Sequence, residues 1–186
     1  MVKRLVLLFA GICICVLAIA QDRKVMRVGF EDYLPSASIK YGRAIGVDVE
    51  LVVAAMRAVG VEVQFEMFPW SRCLHMLDYN QLDAVIPMVF TRERNEKYTL
   101  GSSLRTRGNV VVLSKHVSKE VRTLRDLDGM TIGVGQGYAI SKEFDEANTF
   151  RKEPVTTSGE TYASLLRKAA TGRNDGVVID TSVLAV

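Results

Sequence analysis

The sequence is poor in cysteine: two of its three cysteines, Cys13 and Cys15, lie within the first twenty residues, and Cys73 is the third. An exported form that loses the first twenty residues would keep Cys73 alone, and a single cysteine cannot form a disulfide within the chain. Its stability would therefore depend on apolar cores, and the 186-residue chain is long enough to build one or two lobes around them.

Long runs of one charge are also missing, as are internal repeats and low-complexity segments. The chain has 24 basic and 21 acidic residues, and the loss of Lys3 and Arg4 would leave 22 basic residues, a net charge of +1 instead of +3. A nearly neutral chain without a basic block gives no reason to expect nucleic acid or an anionic membrane surface as a partner.

The first twenty residues have the pattern of a secretory signal peptide. Lys3 and Arg4 form a positive start, an apolar run follows from Leu5 to Ile19, and Ala18-Ile-Ala20 supplies the small residues of a cleavage site. The alternative is an N-terminal membrane anchor, but the apolar run is shorter than the roughly 20 residues that span a bilayer. We therefore predict cleavage after residue 20 and a periplasmic location.

Strand-like and helix-like periodicities alternate along the rest of the chain. Apolar alternation or short apolar runs predict strands, and apolar residues spaced three and four apart predict helices. The predicted strands are residues 25–30, 61–68, 82–86, 109–113, 130–134, 155–157 and 176–179, and the predicted helices are residues 47–59, 70–79, 141–148 and 161–170. This alternation indicates an α/β fold with largely parallel sheets, divided into a first lobe at residues 21–112 and a second lobe at residues 113–186.

The stretch from Met130 to Ile140 has the pattern of a buried strand that runs into glycines and then into a helix start. Its spacing, Gly133-x-Gly135-x-Gly137, differs from the dinucleotide-binding fingerprint, which needs its third glycine where Tyr138 stands. Glycines after a strand let a ligand approach the backbone, and the free N–H groups of a helix start favour a negative group. The pattern favours a small anion over a nucleotide.

Two charged side chains are candidates for ligand contacts. Arg94 follows the strand at residues 82–86, and its planar guanidinium matches a carboxylate with two parallel hydrogen bonds. The alternative is a solvated arginine that pairs with a neighbouring glutamate. Asp180 follows the apolar strand at residues 176–179, at the carboxyl edge where open α/β sheets bind ligands. It can hold an ammonium group there, or it can cap the residues that follow.

The roles of two aromatic residues, in a core or at a ligand, are both possible from the sequence. Trp70 begins the predicted helix at residues 70–79, beside the same sheet edge, and Tyr33 lies in a proline-containing loop after the first strand. Either ring can pack in a core or stack over a ligand, because both carry a large apolar area.

Seven short motifs follow one another along the chain. They are Tyr33-Leu-Pro35, Gly46-Val-Asp-Val49, Pro69-Trp-Ser-Arg72, Thr91-Arg-Glu-Arg94, Leu124-Arg-Asp-Leu-Asp-Gly129, Gly133-Val-Gly-Gln-Gly137 and Gly172-Arg-Asn-Asp-Gly-Val-Val-Ile-Asp180. In this order they resemble the family 3 extracellular solute-binding proteins, which are periplasmic receptors of amino-acid ABC transporters, and the Pro-Trp-x-Arg motif resembles one branch of that family. The resemblance implies a two-lobed periplasmic-binding fold of type II, each lobe a mostly parallel sheet with flanking helices, without a cofactor or a metal.

The resemblance also implies a set of ligand-contacting residues. These are Tyr33, Trp70, Val89, Thr91, Arg94, Gln136, Gly137, Tyr138, Ala139 and Asp180. Arg94 falls on the arginine that clamps the ligand's α-carboxylate, Asp180 on the aspartate that holds its α-ammonium, and Tyr33 on an aromatic residue that covers its side chain. Residues 136–139 fall on a helix start of the second lobe that caps the carboxylate.

The chain departs from the family pattern at three places in this site. Val89 stands where amino-acid binders commonly have a hydroxyl donor, and Tyr138 and Ala139 replace a usual serine or threonine pair. Phe30 stands where binders of cationic and polar amino acids often carry an acid. The implied ligand is therefore an amino acid with an apolar side chain or a different small carboxylate.

The resemblance implies a monomer that closes on its ligand like a hinge and delivers it to an ABC transporter permease, without catalysing a reaction. Two alternatives remain open: a ligand-sensing domain, or an exported enzyme on the same scaffold, such as a prephenate or arogenate dehydratase with Glu31 or Asp32 as its acid. Family members continue through a return crossing and through helices that cover the first lobe. Because the sequence ends before these elements, we expect a truncated chain whose first lobe exposes apolar surface.

Overall fold

The structure is a computed structural model that describes residues 24–156 and 160–185, and the predicted signal peptide lies outside these residues. The strands are β1 (Val25–Phe30), β2 (Ser38–Lys40), β3 (Arg43–Ile45), β4 (Glu62–Met67), β5 (Ala84–Ile86), β6 (Asn109–Leu113), β7 (Thr131–Gly135), β8 (Arg151–Val155) and β9 (Gly176–Asp180). The helices are α1 (Val47–Ala58), α2 (Trp70–Asp78), α3 (Arg92–Lys97), α4 (Lys142–Glu146) and α5 (Thr161–Ala170), with 3-10 turns at Leu124–Leu127 and Val183–Ala185. None of the helices in this part of the chain is long and apolar enough to cross a bilayer.

The first sheet has three parallel strands in the order β4-β1-β5. In the central strand, Val28 and Phe30 pack in one core with Val49 of α1. Gly29 faces the opposite side, where an added Cβ atom would lie 2.4 Å from Leu82 and 3.3 Å from the sulfur of Cys73. Because successive residues of a strand point to opposite faces, β1 separates a core under α1 from a core under α2.

Helix α1 is only partly covered by this narrow sheet. Val49 and Val52 are buried, but Val53, which the helical spacing places on the same face, is 42% exposed. Val53 lies beside Val61 and Val63 in a groove at the edge formed by β4. The first lobe therefore shows apolar side chains at this edge.

The second sheet has four strands in the order β6-β9-β7-β8. Strand β9 is parallel to β7 and antiparallel to β6, and its five residues are all buried. Leu165 of α5 packs in one core with Val177 and Ile179 of β9. The uninterrupted apolar run of β9 fits this position, because a central strand is buried on both faces.

Strand β6 belongs to the second sheet over its whole length. It pairs with β9 from Asn109 opposite Asp180 to Leu113 opposite Gly176. The predicted lobe boundary between residues 112 and 113 cuts this strand, so the pairing favours a boundary before Asn109. The division of the chain at particular residue numbers stays a prediction.

Several elements differ from the sequence prediction, among them the short helix α3, which is not predicted. Strand β8 begins four residues before the strand predicted at residues 155–157, because Pro154 is tolerated on an edge strand, where its missing N–H costs little. Helix α4 is shorter than the predicted helix at residues 141–148. The β2–β3 hairpin is not predicted by the sequence pattern, since its turn residue Tyr41 has a φ of 50°, in the region that glycine favours.

Candidate functional site

A cleft lies between the two sheets, beside the carboxyl ends of parallel strands, the edge where open α/β sheets bind ligands. Its volume is about 360 Å³ when the solvent-open mouth is included. The lining residues are Glu31, Tyr33, Trp70, Ile86, Pro87, Val89, Arg94, Arg107, Tyr138, Ala139 and Tyr162. Six of the predicted contact residues are among them: Tyr33, Trp70, Val89, Arg94, Tyr138 and Ala139.

Arg94 reaches across the cleft from the first turn of α3. This helix begins after Thr91, whose Oγ1 accepts a hydrogen bond from the backbone N–H of Arg94 at 3.1 Å. The guanidinium donates from Nη1 to the Val89 carbonyl at 3.0 Å and from Nη2 to the Gly137 carbonyl, on the other side of the cleft, at 2.8 Å. It also lies 5.8 Å from the centre of the Trp70 ring, within the range of a cation–π contact.

The charge of Arg94 is offset by Asp145 and Glu93 only through space, without an ion pair among the described residues. Within residues 24–156 and 160–185, its guanidinium forms no ion pair with an aspartate or a glutamate. Burial lowers the pKa of Arg94, because removal from water disfavours the charged form. The carbonyls of Val89 and Gly137 engage only two of the five N–H donors that an arginine carries. Arg94 is therefore a partly desolvated cation that can still receive an anion.

Glu31 is a buried carboxylate at the end of β1, with 5% of its surface exposed. The Tyr138 hydroxyl donates to its Oε2, and the Thr161 hydroxyl donates to its Oε1 at 2.7 Å. Burial raises the pKa of Tyr138, and the neighbouring Tyr162 and Glu31 act in the same direction, so this hydroxyl keeps its proton. The tyrosine ring folds back over Gly135, where an added Cβ atom would lie 2.5 Å from it.

Asp180 is fully buried and already has partners. Arg107 Nη1 lies 3.0 Å from its Oδ2, an ion pair that lacks hydrogen-bond geometry. Ser182 donates to its Oδ1 from the backbone N–H at 2.8 Å and from the hydroxyl at 2.6 Å. These bonds fit the interpretation of Asp180 as a cap of the residues that follow it, and Asp180 does not line the cleft.

Arg105 and Arg107 lie in the segment before β6, and their ion pairs hold this segment to both halves of the molecule. Arg105 Nε lies 2.7 Å from Oδ1 of Asp48, a fully buried residue near the start of α1, and its Nη2 also donates to the hydroxyl of Ser36. Arg107 pairs with Asp180 at the end of β9 and donates to the Tyr33 hydroxyl at 3.0 Å. Two arginines that are two residues apart thus bind one acid in helix α1, beside the first sheet, and one at the end of β9 in the second sheet.

The segment after β7 is a turn, so the helix start that the resemblance places at residues 136–139 lies further along the chain, close to the start of the helix that the spacing predicts at residues 141–148. Helix α4 begins at Lys142, because Ser141 caps it with a hydrogen bond from the Phe144 N–H to its Oγ at 3.2 Å. The Asp145 carboxylate accepts a hydrogen bond from the N–H of Ile140 at 3.0 Å, which ties the preceding turn to the same helix.

Gln136 and Gly137 are both predicted as ligand contacts, but neither is among the residues that line the cleft. Gln136 is exposed, and its Oε1 accepts a hydrogen bond from the Thr156 hydroxyl at 2.9 Å. Gly137 offers its carbonyl oxygen to the cleft, where it accepts from Arg94 and, at 3.1 Å, from the indole N–H of Trp70. The backbone contribution at this turn is therefore an acceptor and not the predicted donor.

Five lining residues are not identified as ligand contacts by the sequence. They are Glu31, Ile86, Pro87, Arg107 and Tyr162. Glu31 appears there only as an acid for the enzyme alternative, although its place directly after the first strand could have marked it. Tyr162 packs edge-on against Tyr33 and Tyr138, at ring distances of 5.8 and 6.0 Å. Among the described residues, no three His, Cys, Asp or Glu side chains come together as a possible metal site.

Comparison with known proteins confirms the predicted family. The profile of the bacterial extracellular solute-binding proteins, family 3, matches residues 26–177. The probable amino-acid-binding protein YxeM of Bacillus subtilis (strain 168) is 26% identical over 167 residues, which are 88% of this chain and 62% of YxeM. The L-cystine-binding protein TcyJ of Escherichia coli (strain K12) is 29% identical over 120 residues, 63% of this chain and 45% of TcyJ. The chain thus spans about half of the length of these relatives.

A solved structure shares the fold. The ancestral amino acid-binding protein AncCDT-1, a precursor of cyclohexadienyl dehydratase, superimposes with a TM-score of 0.71 at 25% identity, over 91% of this chain and 76% of that protein. The likeness confirms the two-lobed α/β fold of type II periplasmic binding proteins. Because the family profile covers most of the sequence and the fold agrees with it, this chain belongs to the bacterial extracellular solute-binding proteins of family 3.

Proposed function

We propose that this chain is the ligand-capturing receptor of an ABC transport system and acts in the periplasm, where its N-terminal segment directs it. It captures a small amino acid or a related carboxylate between its two lobes and passes it to the transporter permease. The observation that supports this most strongly is Arg94, a partly buried guanidinium in the cleft without an ion-paired acid among the described residues.

Arg94 holds the ligand's carboxylate in this proposal. Its present partners at the cleft, the carbonyls of Val89 and Gly137, are neutral acceptors. A carboxylate accepts charge-assisted hydrogen bonds, which are shorter and roughly twice as strong as neutral ones. The ligand therefore gains more from Arg94 than the carbonyls do, and the aromatic rings of Tyr33 and Trp70 flank the remainder of the ligand.

In this proposal, hydrogen bonds that cross the cleft stabilise the closed form of the hinge. The Gly137 carbonyl binds Arg94 and Trp70, and the Glu31 carboxylate binds Tyr138 and Thr161. A ligand that contacts both lobes binds the closed form more tightly and so shifts the equilibrium toward it. The permease then receives the loaded receptor in its closed form.

The Arg94→Ala variant tests this function, with Arg92→Ala as the control. Arg92 lies two residues away, but its side chain is 94% exposed, and its ion pair within the described part of the chain is with the exposed Glu96 at 3.6 Å. A thermal-shift screen of amino acids and small carboxylates identifies a ligand, and titration calorimetry then measures its affinity. We expect Arg94→Ala to weaken binding by about 2–5 kcal/mol, and Arg92→Ala to leave it unchanged. Equal affinities of Arg94→Ala and the unmodified protein would remove Arg94 from the site.

Glu31 favours a second candidate function, an exported dehydratase on the same scaffold. It is a buried carboxylate in the cleft, as a general acid would be, and AncCDT-1 is described as a precursor of cyclohexadienyl dehydratase. Incubation of the purified protein with prephenate distinguishes the two functions. Phenylpyruvate that forms with the unmodified protein and not with Glu31→Gln would support the enzyme, and its absence supports the receptor.

A further inference from the structure

The cleft offers a ligand many hydrogen-bond donors. Two guanidinium groups, those of Arg94 and Arg107, line it together with the hydroxyl-bearing rings of Tyr33 and Tyr162, whereas the Tyr138 hydroxyl already donates to Glu31. Carboxylate and carbonyl oxygens only accept hydrogen bonds, whereas an ammonium group carries three donors and accepts none. The polar lining is therefore complementary to a ligand whose polar groups are all acceptors.

The acids at the cleft already receive donors from the protein. Glu31 accepts from the hydroxyls of Tyr138 and Thr161. Asp180 faces Arg107 with one oxygen and accepts two bonds from Ser182 with the other. An ammonium group that approached either acid would meet a guanidinium at Asp180 or two hydroxyls at Glu31, and the carbonyls of Val89 and Gly137 already accept from Arg94.

The burial of the ion pair between Arg107 and Asp180 disfavours its exchange for a ligand's ammonium group. The Asp180 side chain has no exposed surface, and Arg107 approaches its Oδ2 to 3.0 Å from a side chain that is 23% exposed. Removal of one partner from a buried ion pair leaves an uncompensated charge, which is strongly unfavourable. Arg107 also donates to the Tyr33 hydroxyl, so a second contact holds its guanidinium in place.

Asp180 nevertheless lies where we would expect an acid to bind a ligand's ammonium group. It ends the buried strand β9 at the carboxyl edge of the second sheet, beside the cleft. The protein's own Arg107 already supplies beside Asp180 the positive charge that a ligand's ammonium group would otherwise bring. The remaining cation of the cleft, Arg94, still lacks an ion-paired acid among the described residues.

We propose that Arg107, through its ion pair with Asp180, is a specificity-determining residue that makes the cleft select small carboxylates without an amino group. Acids with a 2-oxo group and an apolar side chain have this chemistry. Arg94 binds the carboxylate, and the apolar side chain lies against the rings of Tyr33, Trp70 and Tyr162. This inference rests on the proposed receptor function and narrows its ligand class.

Matched pairs of ligands test the proposal. We would measure, by titration calorimetry at pH 7.5 with the unmodified protein, 4-methyl-2-oxopentanoate against L-leucine and phenylpyruvate against L-phenylalanine. Each pair shares a carbon skeleton and differs in the oxo or amino group. We expect the oxo acid to bind at least about tenfold more tightly in a pair that binds, the effect of about one hydrogen-bonded charged contact. An amino acid that binds as tightly as its oxo acid, or more tightly, overturns the proposal and leaves the receptor function standing.

Two variants test the role of Arg107 itself. Arg107→Met leaves Asp180 buried without a cation, so it should lower the preference for the oxo acid at least tenfold, because an ammonium group can then neutralise Asp180. The double variant Arg107→Met/Asp180→Asn has no acid at this place and should keep the preference. If Arg107→Met kept the same preference for the oxo acid as the unmodified protein, Arg107 would not set the selectivity.

The outcomes separate this proposal from the function on which it rests. If neither an oxo acid nor an amino acid binds, the receptor function fails for these ligands and the proposal fails with it. If amino acids bind preferentially, only the proposal fails. Should Arg107→Met not fold, the ratio measured for the unmodified protein still decides the ligand class, and the double variant, which lacks the buried charge, shows whether the preference survives without Arg107.

Discussion

The indole N–H of Trp70, on the first lobe, donates to the carbonyl of Gly137, on the second, over 3.1 Å. Trp70 is the single tryptophan of the chain, and it is 6% exposed. Its environment therefore reports on the contact between the lobes. Any change that opens the cleft exposes the indole, and intrinsic fluorescence can follow it without a label.

Tyr138→Phe should open the cleft more often. The substitution removes the hydroxyl that donates to Glu31 across the cleft and leaves this buried carboxylate with one donor fewer. We expect a red-shifted Trp70 emission and faster acrylamide quenching, with a loss of about 1–3 kcal/mol in stability. Tyr41→Phe is the control, because Tyr41 is 93% exposed. Quenching at the same rate in Tyr138→Phe and the unmodified protein would show that the hydrogen bond from Tyr138 to Glu31 does not hold the cleft closed.

Gly46→Ala should destabilise the first lobe strongly. Gly46 has a φ of 121°, and a Cβ atom there would lie 2.3 Å from the backbone oxygen of Ser36. We expect a loss of roughly 3 kcal/mol or more in urea unfolding, from the clash and the strained backbone together. Gly42→Ala is the matched control, since Gly42 has a φ of 73° but open space around it, and it should lose only about 1 kcal/mol. Similar losses in both variants would show that the contact with Ser36 relaxes easily.

Cys73 should not react with thiol reagents in the native protein. It is fully buried, and burial, with a contribution from the charge of Glu31, raises the pKa of its thiol to about 12. The thiolate is the reactive form, so we expect negligible reaction with Ellman's reagent at pH 8 and full reaction in urea. Serine at Cys13 and Cys15 leaves Cys73 as the single reporter. Rapid modification of the folded protein would show that the core under α2 opens readily.

Glu153 should make stability depend on pH in the acid range. A hydrogen bond from Lys168 holds the pKa of Glu153 below its ordinary value of 4.5, and Asn174 adds a bond of 3.2 Å. A lowered pKa means that the folded protein binds the proton more weakly than the unfolded chain does. The contribution to stability is therefore complete above about pH 4.5 and is lost as the pH falls through the lower pKa of the folded state.

Glu153→Gln should accordingly lower stability at pH 7 and make little difference at pH 3. Both partners are partly exposed, at 28% for Lys168 and 27% for Glu153, so solvent limits the loss at pH 7 to under about 1 kcal/mol. Urea unfolding at the two pH values measures it. The control is Glu120→Gln, whose exposed pair with Arg122 should contribute nothing measurable at either pH. A loss that is the same at pH 3 and pH 7 would exclude the ionised pair as its cause.

Much of the fold can be predicted from periodicity, because burial in a strand or helix leaves a local pattern. Strand β6 and helix α5 have the predicted limits, and β9 extends the predicted strand by one residue. The periodic pattern fails to predict an element where a residue type occurs in a structure that it usually avoids. Pro154 belongs to a strand only because that strand is an edge, and a single sequence window does not show which strand is an edge.

The cleft was harder to predict, because its contacts join distant parts of the chain. Arg94 could be identified from its place after a strand, and the structure puts it in the cleft. The pairing of Arg107 with Asp180 spans 73 residues and leaves no local signal in the sequence. Glu31 shows the same limit: its donors, Tyr138 and Thr161, come from the other lobe.

The two arginine anchors before β6 have a mechanical consequence. Arg105 is tied to Asp48 beside the first sheet and Arg107 to Asp180 in the second, with Thr106 alone between them. A swing of one body relative to the other turns the short backbone segment between these two ion pairs and strains the Arg107–Tyr33 hydrogen bond, which ties Arg107 to the first lobe as well. Opening at this crossing therefore stretches side-chain contacts on both sides of Thr106, and the Arg107–Tyr33 hydrogen bond is one that a wide swing must break.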